Sequence, residues 1–367
     1  RISETRWPLD IAALLTGITI GLFAFQFRTL TKLSDLPPSM SFVNLGRFVE
    51  EVRANVPLDW GDGALAATIV VLCLTVVFLE LWRRRLSCFL DLIFSSSTRT
   101  LWLLAVSSVV FVRFYLAPGG LSWAGDASSH LVYAYITAQA MVRGELPIWT
   151  NYLGFGSPYI QLYGFLFFYV VGVVEMVLKN LDASIKVVLI GSHVASGIGM
   201  YAWVLAVTQS RRAGFLAGIA IVLGFWHTQQ VLFMGRLPLS LFYGLAPWPF
   251  FFLERSRQTE DYWPWVVGGG LALGLLAFTH PGYGFWITAF FGLYWVLRTW
   301  QDGHVGGRGW LAGCAILAFG VLMGAFLTLG IWTERKLTHL AAGLHMSGIP
   351  DPTVGQVLGW SNFRFFA

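Results

Sequence analysis

From Trp310 to Trp332 the chain reads WLAGCAILAFGVLMGAFLTLGIW, without one charged side chain. A helix over this run would be apolar on every face and long enough to cross a hydrocarbon core of about 30 Å. Ile11–Phe27 and Ala64–Trp82 repeat the pattern, with Glu80 the single acid in the second. Helices of a soluble core need only an apolar stripe. Across 367 residues, 56% are hydrophobic and 12% charged, against about 25% charged in soluble domains. This excludes a soluble globular domain and predicts an all-α, polytopic transmembrane helix bundle. Apolar runs place about ten spans, near residues 10–29, 64–82, 100–117, 158–178, 186–207, 213–232, 237–254, 264–280, 282–299 and 309–333.

The net charge of +5 belongs to topology rather than to nucleic acid, because no basic stripe is interleaved with aromatics. Arg83, Arg84, Arg85 and Arg99 place their loop in the cytoplasm, and Arg211, Arg212, Arg255, Arg257, Arg298 and Arg308 mark further cytoplasmic segments. Residues 118–157 then face outward, as do His280 and the stretch after Thr333. Two simple crossings between that outer loop and Arg211 give the wrong parity, so either one of the stretches 158–178 and 186–207 is not a simple span or a further short crossing lies between them. Cys73, Cys88 and Cys314 lack metal-ligand spacing and do not form a disulfide framework. The protein is expected in the plasma (inner) membrane. Its domains read as a two-span extension over 1–99, a core over 100–333 and the start of an outer segment over 334–367. The first includes an amphipathic stretch with Phe42, Leu45, Phe48, Val49 and Val52 on one face. A start at Arg1 without Met and a stop at Ala367 suggest a piece of a longer protein.

The chemistry concentrates in the outer loop. Asp126 and His130 are four residues apart, so a helix from there to Arg143 puts them on one face, extended by Tyr133. Gly144-Glu145-Leu146-Pro147-Ile148-Trp149 follows, then Gly154-Phe155-Gly156-Ser157-Pro158, and Tyr163-Gly164 at a new apolar run. Repeated Gly and Pro make this a shaped loop. Later, Gly235-Arg236-Leu237-Pro238 precedes one apolar run and Thr279-His280-Pro281 separates two others.

Together these motifs, over roughly residues 100–300, resemble the GT-C superfamily of membrane glycosyltransferases. They are most similar to its bacterial members described as membrane proteins related to 6-pyruvoyl-tetrahydropterin synthase. Two spans precede the Asp loop here, where the usual pattern has one. The resemblance implies a GT-C-like bundle with amphipathic juxtamembrane helices in the outer loops, and inverting transfer of a sugar from a polyprenyl-phosphate donor. Asp126 is then the base that deprotonates the acceptor hydroxyl. Arg236 and His280, with His130 and Tyr163 as further substrate-binding candidates, would hold the leaving phosphate by charge or hydrogen bonds. No cofactor is implied, and the need for a divalent metal is left open. The expected partners are a lipid-linked sugar and membrane lipid.

Plainer roles compete with these. Asp126 suits a helix N-cap, His130 an ordinary surface helix, Arg236 an interfacial anchor, and His280 a bond to a carbonyl freed by Pro281. His193 suits helix packing, and Glu175 and Arg113 suit chains reaching to the interface. The rival function is a non-catalytic accessory subunit of a larger membrane complex. A transporter is disfavoured because no two related halves are visible.

Overall fold

The computed structural model describes residues 91–116, 126–147, 150, 163–224, 230–231, 235–301, 303 and 307–334, with scattered positions between 63 and 78. The expected spans at 10–29 and most of 64–82, the amphipathic stretch at 42–52, and the segment after Glu334 lie outside them. Contacts divide the chain into two units. One comprises Arg1–Thr100, Leu223–Thr228 and Gly348–Ala367, and the other Leu101–Val222 and Gln229–Ser347. In the first, the Arg99 guanidinium donates to the Leu92 carbonyl at 2.9 Å.

The described elements are helices: α1 (Ser97–Phe111), a 3-10 turn (Arg113–Leu116), α2 (Ala127–Val142), α3 (Leu166–Leu178), α4 (Leu181–Thr208), α5 (Arg211–Val222), α6 (Pro238–Leu245), α7 (Trp248–Gln258), α8 (Trp263–Thr279), α9 (Pro281–Gln301) and α10 (Arg308–Glu334). Two, α4 and α10, are long and apolar enough to cross a membrane; α1, α3 and α8 are apolar but shorter.

Cross-helix contacts fix the directions in the second unit. Gly244 of α6 packs on Ser192 of α4, and Gly199 packs on Pro247 and Trp248. Trp203 stacks on Phe250 at 4.5 Å, and Gln258 donates to the Ala206 carbonyl at 2.7 Å. So α4 and the α6–α7 pair run the same way. α8 returns, since Gly268 packs on Phe252 and Arg255 lies 5.1 Å over the Trp265 ring. α9 runs back again, with Arg298 beside Glu254. α10 follows α8 in parallel, because Gly269, Gly270 and Gly274 meet Ile316, Phe319 and Met323 in order. Small residues at this spacing let helix backbones approach closely.

One end of the bundle therefore gathers the starts of α4, α6 and α9 and the end of α8. The opposite end gathers Arg211, Arg212, Arg255, Arg257, Arg298 and Arg308. α3 begins where Gly164 packs on Thr279, at the end of α8. It finishes against the start of α4, where Ser184 Oγ donates to Glu175 at 2.8 Å. Both its ends lie at the same end of the bundle. Its 13 residues also span only about 20 Å at 1.5 Å per residue. Of the expected span at 158–178, the described part is a helix whose two ends lie at the same end of the bundle. The reason is the site it leaves from: a Cβ on Gly164 would overlap the Thr279 carbonyl, so the chain enters α3 in close contact with the α8–α9 turn. Glu175 is corrected too. It is buried and fastens α3 to α4 rather than reaching outward.

Candidate functional site

The five residues singled out in sequence converge at the end of the bundle away from the arginines. Asp126 immediately precedes α2 but makes no side-chain capping bond. Its Oδ2 lies 3.3 Å from Arg236 Nε instead. The N-cap reading therefore fails, and the carboxylate is directed across 110 residues of sequence. Arg236 is held by a second partner, its Nη1 donating to Gln230 Oε1 at 2.7 Å. Its backbone amide donates to the Gln230 carbonyl at 3.0 Å. Both ion-pair partners stay accessible, Asp126 at 57% and Arg236 at 36% side-chain exposure.

His130 is buried at 3% exposure. Its Nδ1 lies 2.9 Å from the Gly235 carbonyl, which only accepts, so Nδ1 carries the proton. Nε2 then accepts from the Tyr163 hydroxyl at 2.9 Å. Burial holds its pKa below the ordinary histidine value, with Arg236 acting in the same direction. Neither ring nitrogen is left for a ligand. His130 sits behind the site, fixing the turn at Gly235, whose φ of +65° suits glycine. That turn aims Arg236 at Asp126.

His280 ends α8 and opens α9, in the turn outside both helices. Its Nδ1 accepts from the Tyr283 amide at 3.4 Å, capping α9. The expected bond to a freed carbonyl is replaced by this one, because the first amides of a helix need acceptors. With Nδ1 accepting, a neutral ring carries its proton on Nε2. Burial and the Arg236 charge lower its pKa to about 4, so near neutral pH His280 can donate a hydrogen bond but supplies no positive charge. The Tyr163 ring meets it edge-on at 5.9 Å. Burial raises the pKa of the Tyr163 hydroxyl, which remains protonated.

The segment that follows α2 supports this cluster from behind. Gly144 takes φ +76°, and Tyr169 of α3 donates to the Pro147 carbonyl at 3.0 Å. Tyr133 packs with Tyr163 and Phe168. Gln230 is the site residue that sequence reading missed. No periodicity singles out one glutamine beside an apolar run, and only the turn at Gly235 returns the chain to it. Among the described residues no group of three or more His, Cys, Asp or Glu side chains is placed to hold a metal ion.

The arrangement offers a carboxylate oxygen to take a proton, a guanidinium to bind an anion, and a neutral imidazole to donate to one. No protein-family model, curated protein or solved structure matches the chain.

Proposed function

We propose that this chain is a multi-pass plasma (inner) membrane protein that transfers a sugar from a polyprenyl-phosphate donor, with a GT-C-like architecture and the Asp126 cluster on the outer side. The observation that carries the reading is the convergence of Asp126, Arg236 and His280, from three distant segments, at the bundle end opposite the arginines. The arginine-rich end belongs in the cytoplasm. A polyprenyl donor is dissolved in the bilayer, so its reacting carbon lies near the interface, where the cluster sits.

In this reading an Asp126 oxygen accepts the proton of the acceptor hydroxyl. The hydroxyl oxygen bonds to the anomeric carbon as the bond from that carbon to the donor phosphate oxygen breaks. The electron pair leaves with the phosphate, whose charge is met by Arg236 and by a hydrogen bond from His280. Inversion puts base and leaving group on opposite faces of the carbon, and the carboxyl pairs of inverting glycosidases stand about 6.5–9.5 Å apart for a related reason. The 3.3 Å contact between Asp126 and Arg236 is too close for that. Donor binding must therefore draw the guanidinium away from the carboxylate.

The test is sugar transfer from a polyprenyl-phosphate pool in membranes. Asp126→Asn keeps size and removes the proton acceptor, so the rate should fall about 10²–10⁴-fold. Equal rates in variant and wild type would remove Asp126 as base. The second reading is a non-catalytic subunit of a membrane assembly. The contact that favours it is the same ion pair, which leaves base and anion binder satisfied by each other. No transfer by the wild-type chain, with Asp126→Asn releasing it from co-purifying membrane proteins, would select that reading.

A further inference from the structure

His130 sets the hydrogen-bond polarity of the Asp126 cluster from behind. Its two ring nitrogens meet the Gly235 carbonyl and the Tyr163 hydroxyl, each at 2.9 Å, and no carboxylate is among its hydrogen-bond partners. Burial keeps the ring neutral, because desolvation penalises the charged form. The Gly235 carbonyl only accepts, so the single ring proton is on Nδ1 and Nε2 is an acceptor. Nε2 takes the one proton of the Tyr163 hydroxyl. That hydroxyl has no proton left to donate, and what remains on it is oxygen lone pairs.

Tyr163 is partly exposed, and the charges of Asp126 and Arg236 both act on its hydroxyl, so its oxygen belongs to the cluster. Its ring packs with Tyr133, Phe168 and His280 at 6.3, 6.4 and 5.9 Å. Among the described residues the oxygen has no second hydrogen-bond partner. Arg236 has the opposite polarity. Its Nε and Nη1 are held by Asp126 and Gln230, and Nη2 has no partner among the described residues. The cluster therefore offers donors at Arg236 and His280 and acceptors at Asp126 and Tyr163. A phosphate dianion carries only acceptor oxygens, so it matches the donors and meets Tyr163 lone pair against lone pair. A ligand hydroxyl supplies the proton that Tyr163 lacks.

We propose that Tyr163 is a specificity-determining residue that accepts a hydrogen bond from a ligand hydroxyl, so that the cluster takes phosphate esters of hydroxylated groups in preference to alkyl phosphates. Tyr163 then reads the sugar and not the leaving phosphate, and His130 is the positioning residue that fixes its polarity. The proposal rests on the reading of the Asp126 cluster as a sugar-phosphate site and holds whether or not transfer follows.

The test uses the full chain, purified in detergent, and two esters of equal charge: glycerol 3-phosphate, which carries hydroxyls, and propyl phosphate, which has none. Both are dianions at mildly alkaline pH, above the second phosphate pKa of about 6. Glycerol 3-phosphate is flexible, so its hydroxyls do not depend on the stereochemistry of the natural sugar. In titration calorimetry the wild type should bind it about fivefold more tightly than propyl phosphate, the worth of one neutral hydrogen bond. Tyr163→Phe, with a native melting curve, should bring the two within about twofold and leave the affinity for propyl phosphate unchanged. Arg236→Gln should weaken both by about tenfold or more. Nitrogen NMR of the wild type with labelled histidine, His130 being assigned by its loss in His130→Gln, should place the proton on Nδ1, a readout that does not depend on Tyr163→Phe folding. Equal affinities in the wild type, a parallel loss of both esters in Tyr163→Phe, or a proton on His130 Nε2 overturns the proposal. Discrimination by a wild-type chain that transfers no sugar ends the transferase reading and leaves this one standing, and transfer without discrimination does the reverse.

Discussion

Two ion pairs at opposite ends of the second unit are built from the same chemistry and are used differently. At the arginine end, Glu254 has a side-chain exposure of 2%. It receives Arg298 through two nitrogens and Tyr294 through its hydroxyl, and that hydroxyl receives Trp203. α4, α7 and α9 are joined in one network with its acceptor oxygens engaged. At the other end, Asp126 and Arg236 meet through one contact at 3.3 Å, both partly exposed. Burial with complete pairing resists rearrangement, because separating the partners strands a charge. An exposed single contact is exchangeable, because water or a ligand can replace either partner. The first pair holds helices together, and the second can exchange its partner.

The comparison breaks most readily at the buried pair. Glu254→Ala leaves Arg298 without its carboxylate and should cost about 3–5 kcal/mol, read as a fall in melting temperature in detergent. Glu254→Gln should cost less, since an amide oxygen still accepts from Tyr294 or Arg298. A loss under about 1 kcal/mol for Glu254→Ala, typical of exposed pairs, would remove the contrast.

Gly164→Ala is the next test. Its new methyl would overlap the Thr279 carbonyl where α3 meets the α8–α9 turn, a backbone contact that cannot swing aside. Overpacking of this kind costs about 1–3 kcal/mol, and here it should also lower transfer, because His280 follows Thr279. His130→Phe keeps an aromatic ring but leaves the Gly235 carbonyl and the Tyr163 hydroxyl without a partner, which should cost about 1–3 kcal/mol. If His130 positions Arg236, this variant should raise the KM for the lipid-phosphate donor more than it lowers kcat.

Asp126→Asn should barely change stability, by under about 1 kcal/mol, while abolishing most activity. That split between melting and turnover distinguishes the exposed pair from the buried one. A further test is pH. His280 has a folded pKa lowered to about 4 from an ordinary value near 6.5. The unfolded chain therefore binds a proton first, and stability is full above pH 6.5 and falls as pH drops toward 4. Melting temperatures measured across that window should slope downward toward acid, and His280→Gln should flatten the slope.

Much of the site was legible in the sequence as short motifs. Asp126 with His130 at helical spacing, Gly235-Arg236 before a proline-opened helix, and Thr279-His280-Pro281 between two apolar runs all reach the same cluster. What could not be read was the role of each side chain. His130 reads as a surface residue by type, yet it is buried with its Nδ1 on the Gly235 carbonyl and its Nε2 on the Tyr163 hydroxyl. Asp126 reads as a cap, yet its carboxylate bonds the guanidinium of a residue 110 positions away. Glu254 carries no motif at all, and its burial depends on Arg298 arriving from another helix.

The sequence alone determined the helical class, the apolarity that suits a bilayer, and the sorting of arginines to one end, because composition and hydrophobic run length act locally along the chain. Only tertiary structure decided that α3 stays on one side of the bundle. A 13-residue apolar helix has the same composition whether it crosses or folds back. What selects between them is the contact of Gly164 with Thr279 at one end and the bond from Ser184 to Glu175 at the other. Tertiary structure likewise decided which of two Arg–carboxylate pairs is exchangeable, since exposure and the number of partners belong to the packed helices and not to the residues themselves.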